Sequence, residues 1–227
     1  MRIPDRTLLQ WLDDPAGDRC MHFARASDGW DHWPYSRLRE LTLRVTSACA
    51  ERGVRRGDVV AVIQRCSPGF VASMFGTFAA AASACSIAPP FAFQHAGDYQ
   101  RHLAHVLGVT RPDLIIVDDE SLPQVRPIAE QARLNPPVAF DELVAGHDPA
   151  SGPLGPAEVA LVQFTSGSSG LSRGVRVSTS ALEANVNAMR RWLLWSPADP
   201  GINWLPVHHD MGLIGSMINF VVEGCDG

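Results

Sequence analysis

Every residue of one short run, Thr165, Ser166, Gly167, Ser168, Ser169 and Gly170, is glycine or carries a hydroxyl, and Arg173 follows closely. Glycines let backbone N–H groups converge on an anion without steric conflict. Hydroxyls add donors, so a loop of this composition has the chemistry to wrap a polyphosphate. A flexible turn has the same composition and stays open as a reading. The run is not a Walker A sequence: Gly167 would need Gly-Lys-Ser/Thr five residues later, and Ser172-Arg173-Gly174 stands there. Nor is it a dinucleotide fingerprint, because G-x-G-x-x-G does not occur.

A second group of chemically able residues is His208-His209-Asp210, inside Asn203-Trp204-Leu205-Pro206-Val207-His208-His209-Asp210-Met211-Gly212-Leu213-Ile214-Gly215. Imidazole and carboxylate are common metal ligands. Adjacent strand residues point to opposite faces, however, and no H-x-x-x-H pair supports them, so no metal site is assigned. Asp210 opens a predicted helix, where a carboxylate suits the N-terminal dipole. His102 and His105 share a helix face, which reads as solvated. Gly170-Leu171-Ser172-Arg173-Gly174 also fits the G-x-S-x-G nucleophile elbow, with Asp199, His208 and His209 after it. An elbow needs a strand just before the serine and a helix just after. Here a Gly/Ser loop precedes Ser172 and the β-like Val175-Arg176-Val177 follows.

The elements that must position these residues are legible from apolar spacing. Leu38, Leu41, Val45 and Ala48 predict a helix from Ser36 to Arg52. Val59 to Ile63 reads as a buried strand, and Ser67-Pro68 as the cap and first turn of a helix running to about Ser83. A strand from Cys85 to Ala88, a helix from Asp98 to Leu107 ending at Gly108, a strand from Leu114 to Val117 and a helix from Pro123 to Arg133 follow. Ala145 to Ala157 is rich in Gly, Pro and Ser, so a boundary is placed there: 1–150 as a first α/β subdomain and 151–227 as the start of a second. Beyond it come strands at Val159 to Phe164 and Gly174 to Val177. Ser180 with Glu183 forms a predicted capping box for a helix to about Trp195, Ile202 to Val207 is strand-like, and Met211 to Val222 is helical. Strands alternating with helices require crossover connections and a parallel sheet covered on both faces.

Composition bounds the reading. The chain has 227 residues, 46% apolar and 19% charged, enough to bury a sizeable core. A net charge of −5 without a basic stripe argues against a nucleic-acid surface. Five cysteines with no C-x-x-C spacing indicate neither a disulfide framework nor a zinc site, and fit a cytoplasmic protein. From Ser67 to Gly97 there is no Asp, Glu, Lys or Arg. Pro68, Pro89 and Pro90 bound or interrupt that run and its middle is Ala, Ser and Gly, so a buried helix and strand are expected rather than a transmembrane segment.

The run T-S-G-S-S-G-L-S-R-G-V resembles the T-S-G-[ST]-T-G-x-P-K-G-V signature of adenylate-forming (AMP-binding) enzymes. The match covers Thr165, Ser166, Gly167, Ser168, Gly170, Gly174 and Val175, with Ser169 conservative for Thr. Ser172 stands where proline is usual and Arg173 where lysine is usual. Fatty acyl-AMP ligases are loose at these positions, and Asn203 to Gly215 is similar to their W-L-P-x-x-H-D-M-G-L-[IV]-G segment. The resemblance implies the parallel-sheet αβα layers of that family's N-terminal domain, incomplete at the C-terminal end. It also implies ATP with Mg²⁺, a fatty carboxylate activated to acyl-adenylate, and transfer to an acyl carrier protein or polyketide synthase. Thr165 to Gly170 and Arg173 would bind the nucleotide, and His209 would lie beside the substrate carboxylate. The family's adenine- and ribose-binding segments, hinge and catalytic lysine are not in this sequence. The chain alone is therefore expected to form no adenylate, with a missing portion on another chain as one possible partner. An acyl-CoA synthetase fragment and a non-catalytic acyl- or partner-binding protein are the alternatives; the second predicts an exposed apolar surface.

Overall fold

The computed structural model describes residues 3–25, 27–90, 95–165 and 172–227. After a 3-10 turn at Gln10–Leu12 comes an antiparallel hairpin that the apolar spacing did not announce, β1 (Cys20–Ala24) with β2 (Trp30–Pro34). This hairpin is tied to the far end of the sequence. The amide of His22 donates to the carbonyl of Gly227 (2.6 Å), and that of Cys20 to Asp226 Oδ1 (2.8 Å). The Tyr35 hydroxyl lies 2.9 Å from the carbonyls of both Phe220 and Cys225.

Helix α1 (Tyr35–Glu51) buries Leu38, Val45 and Ala48 at the expected spacing, but it begins at Tyr35 with Pro34 in the cap position, so Ser36 is not its cap. It crosses α2 (Pro68–Ala79) at Gly76, where a Cβ would stand 2.6 Å from that of Val45; only glycine permits this approach. Ser67 caps α2 as expected, its Oγ accepting from the Phe70 amide at 3.1 Å. The charge-free run becomes this helix and β4 (Ser83–Ser86), with Gly69 through Cys85 buried throughout. No helix among the described residues is long and apolar enough to cross a membrane.

Between them lies β3 (Val59–Ile63). Helix α3 (Ala96–Thr110) runs through Gly108, contrary to the expected stop, and ends where Arg111 takes a left-handed conformation (φ 42°). Then come β5 (Leu114–Val117), α4 (Leu122–Gln131), β6 (Val138–Ala139) and α5 (Phe140–Val144). Beyond the Gly/Pro-rich stretch, β7 (Val159–Thr165) and β8 (Arg173–Ser178) precede α6 (Thr179–Leu193). The cap of α6 is Ser178, whose Oγ accepts from the Ala181 amide at 3.2 Å, not Ser180. The expected box fails because Glu183 is engaged elsewhere, accepting from the Leu8 amide at 2.9 Å.

The expected strand from Ile202 to Val207 is absent. Asn203 satisfies this backbone locally, accepting from the Leu205 amide (2.9 Å) and donating to its carbonyl (3.3 Å), and Pro206 has no N–H for a ladder. The helix expected from Met211 is a π-helical stretch, Met211–Ile218, continuing as α7 (Asn219–Glu223). Ser216 Oγ on the Met211 carbonyl and Asn219 Nδ2 on the Ile214 carbonyl are side-chain donors five residues away, matching that wider winding.

One six-stranded sheet runs in the order β6-β5-β3-β4-β7-β8. Its strands are parallel as expected, except that β8 is antiparallel to β7. Both faces are covered. Tyr99, Leu103, Val106, Val125 and Ile128, from α3 and α4, pack with Ala61, Ile63, Cys85, Ile115 and Val117. The other face buries Leu38 and Val45 of α1, Phe70 and Phe75 of α2, Leu182 and Val186 of α6, and Val221 of α7 against Val60, Val62 and Leu161.

Candidate functional site

Parallel sheets bind ligands at the carboxyl ends of their strands, and both chemically able segments lead away from that edge. Strand β7 ends at Thr165 and β8 begins at Arg173, and these two exposed residues are register partners. A hydroxyl and a guanidinium therefore flank the point where the run leaves and returns. Ser166, Gly167, Ser168, Ser169 and Gly170 lie outside the described residues. Phe164 and Gly174 form the preceding register pair, and the ring lies over the glycine: a Cβ there would stand 3.2 Å from Phe164 Cζ.

The second segment is anchored to the neighbouring strand end. Ser86, the last residue of β4, points its Oγ at the Val207 carbonyl (3.3 Å). The chain then turns so tightly, His209 N to Pro206 O at 3.1 Å, that a Cβ on Gly212 would stand 2.3 Å from that carbonyl oxygen. Asp210 caps the π-helical stretch through the Met211 amide (2.8 Å), the role its place in the sequence suggested. His209 is exposed and His208 half-buried, their rings 4.8 Å apart. Burial, then His209, then His102 push the His208 imidazole down to about 4. His208 is thus neutral at physiological pH and lies within electrostatic reach of α3.

Helix α3 joins the two segments. His102 is exposed, its pKa lowered first by partial burial and then by His105. His105, expected on a solvated face, is half-buried: its Nε2 lies 2.8 Å from the Ser172 carbonyl, and its ring centroid 6.4 Å from that of Phe164 at an interplanar angle of 80°. Sequence reasoning missed this contact. The His102/His105 spacing was visible, but nothing local indicates that the helix face meets residue 172.

The rival chemistries fare differently. Ser172 is followed by the strand Arg173–Ser178, where a nucleophile elbow needs a helix. Among the described residues no group of three or more His, Cys, Asp or Glu is placed to hold a metal ion.

A model of the family described as "AMP-binding enzyme" matches residues 8–226. The chain belongs to the AMP-binding enzyme family. Among its curated relatives, the long-chain-fatty-acid–AMP ligase FadD32 of Mycolicibacterium smegmatis is 29% identical over 182 residues, covering 77% of this chain and 28% of that protein. A putative acyl-CoA synthetase of Caulobacter vibrioides is 27% identical over 187 residues, covering 82% of this chain and 33% of the relative. Among solved structures, one from a study of fatty acyl-adenylate ligases of E. coli and L. pneumophila superposes with a TM-score of 0.87 at 27% identity, over 97% of this chain and 41% of that one. The fold is shared with McyG in complex with phenylalanyl-adenylate (TM-score 0.86, 19% identity, 36% of that chain covered). This member of the AMP-binding family thus spans less than half the length of each of these proteins. Its sheet is the mostly parallel α/β sheet that the alternation of elements required.

Proposed function

We propose that this chain is the part of a fatty acyl-AMP ligase that grips the triphosphate of ATP and shapes one wall of the acyl pocket. In the proposed reaction a fatty carboxylate oxygen attacks the α-phosphorus of ATP. The new C–O–P bond forms as the bond to the β-phosphate breaks, and pyrophosphate leaves. The phosphopantetheine thiol of an acyl carrier protein, free or within a polyketide synthase, then attacks the acyl carbon and AMP departs. Chemistry of this kind depends on positioning and charge stabilisation. Thr165, Ser166, Gly167, Ser168, Ser169 and Gly170 are assigned to the β- and γ-phosphates, Arg173 to the leaving pyrophosphate, and His209 to the substrate carboxylate. Mg²⁺ would enter with the nucleotide and would neutralise phosphate charge. The cytoplasm, which holds ATP and reduced carrier thiols, is the proposed compartment.

The observation that carries this reading is the convergence of the two segments at one edge of the sheet. Ser86 fastens the His209 turn to the end of β4, while β7, the parallel neighbour of β4, ends at Thr165. The donor set fits an anion: a hydroxyl, a guanidinium and imidazole N–H groups. A Coenzyme A thiol as acceptor is the second reading, favoured by the likeness to the Caulobacter protein.

The experiment is equilibrium binding of ATP with Mg²⁺ to the chain, with inorganic tripolyphosphate as competitor. Tripolyphosphate should displace ATP, and Thr165→Ala and Arg173→Ala should each weaken binding by roughly three- to tenfold, the usual worth of one lost phosphate contact. Absence of ATP binding at millimolar nucleotide, or unchanged affinity in both variants, would overturn the assignment.

A further inference from the structure

Of the two histidines on α3, His105 is the one that meets the glycine- and serine-rich connection. His105 touches both stems of the Thr165-to-Arg173 connection: its Nε2 is 2.8 Å from the carbonyl oxygen of Ser172, the residue before Arg173, and its ring stands nearly perpendicular to that of Phe164, the residue before Thr165. A carbonyl only accepts, so Nε2 carries the proton of this hydrogen bond. Phe164 in turn lies over Gly174 on the opposite strand. One imidazole therefore closes a stack of Gly174, Phe164 and His105 and adds a polar tie to the returning strand.

That imidazole is itself firmly held. Tyr99, Leu103, Val106 and Leu107 on α3 are all buried against the sheet, which gives His105 a rigid base. Among the described residues Thr165–Arg173 is the last pair of the β7–β8 ladder, and His105 contacts the residue next to each of its members. A loop that presents amides to a triphosphate gains affinity when its stems are fixed in advance, because less ordering is left for the binding step.

We infer that His105 is a positioning residue for nucleotide binding: it sets the spacing and orientation of the two stems of the glycine- and serine-rich connection through its hydrogen bond to Ser172 and its contact with Phe164. The inference rests on the reading that this connection holds the triphosphate, yet it makes a statement about the stems that is testable without nucleotide.

The test compares wild type, His105→Ala, His105→Gln and the exposed-face control Arg101→Ala by ATP binding with Mg²⁺ and by amide hydrogen exchange at residues 173–175. Glutamine retains an N–H donor at similar reach. The alanine variant should bind ATP about tenfold more weakly, the worth of one positioned hydrogen bond, and exchange faster at 173–175. The glutamine variant should recover most of both, and Arg101→Ala should match wild type. Packing alone would instead lower the thermal midpoint and speed exchange across the whole sheet, with no rescue by glutamine; that result overturns the inference. Unchanged affinity and exchange in His105→Ala would also overturn it. If wild type binds no ATP, the triphosphate reading falls, and the exchange data alone decide: a local, glutamine-rescued acceleration sustains the stem contact, and its absence rejects it.

Discussion

His208 shows how one residue reports on its surroundings. Its imidazole is held at about 4, against 6.5 for the ordinary group, by burial first and by His209 and His102 next. Above pH 6.5 the ring is neutral whether the chain is folded or not, so it contributes its full share of stability. Between about 6.5 and 4 the unfolded chain takes up a proton that the folded chain refuses, and stability falls as pH falls. Thermal midpoints measured by circular dichroism from pH 7.5 to 4.5 should therefore decline, and His208→Gln should flatten that decline. Parallel curves for the two proteins would show that another group governs acid sensitivity. At this scale the sequence singled out Thr165, Arg173 and His209 as candidates, because their types and order match a family pattern. The contact of His105 stayed hidden, because its partner sits 67 positions away in the chain and depends on how α3 lies against β8.

Among the elements, α6 and α7 are joined by a buried ion pair. Arg190 and Glu223 are 2% and 3% exposed and hydrogen-bonded to each other. Arg190 also donates to the Pro4 carbonyl (3.0 Å) and Asn187 Oδ1 (2.8 Å), so the guanidinium knits the start of the chain to both helices. Glu223→Ala leaves that cation buried without its carboxylate and should cost about 3–5 kcal/mol. Urea unfolding checks this; a loss below about 1 kcal/mol would mean that water or Asn187 compensates. Most elements were legible, since α1, β3 and β5 follow apolar spacing and α2 has a clear Ser67-Pro68 start. The misreadings have a common cause: Glu183 and Asn203 look like cap and strand residues locally, yet the backbone atoms they bond decide otherwise. The antiparallel setting of β8 was missed although the sequence carries it: the short link between Thr165 and Arg173 is too brief for a parallel crossover.

At the scale of the molecule, apolar side chains remain in water over one region of the sequence. Trp192, Leu194, Ile202, Trp204 and Met211 are 81%, 74%, 73%, 83% and 63% exposed, at the end of α6 and around the His209 segment. Exposed apolar surface on this scale marks contact with other protein or with ligand. The isolated chain should bind an environment-sensitive dye such as ANS and self-associate at rising concentration, and Trp204→Glu should reduce both. A dye-silent, concentration-independent monomer would count against this. The layered α/β architecture was readable from alternation alone. Strand order was not, because it depends on which way each crossover turns, and no residue encodes that by itself.

The tie between the first hairpin and the last residues has a consequence for biosynthesis. The groups that β1 and Tyr35 bond, the carbonyls of residues 220, 225 and 227, are made roughly two hundred codons after them. Until then the hairpin has no anchor. A chaperone that shields apolar nascent segments would find Met21 and Phe23, buried in the finished fold, waiting until residues 220–227 are made, and a ribosome pause anywhere between Tyr35 and Phe220 should prolong that exposure.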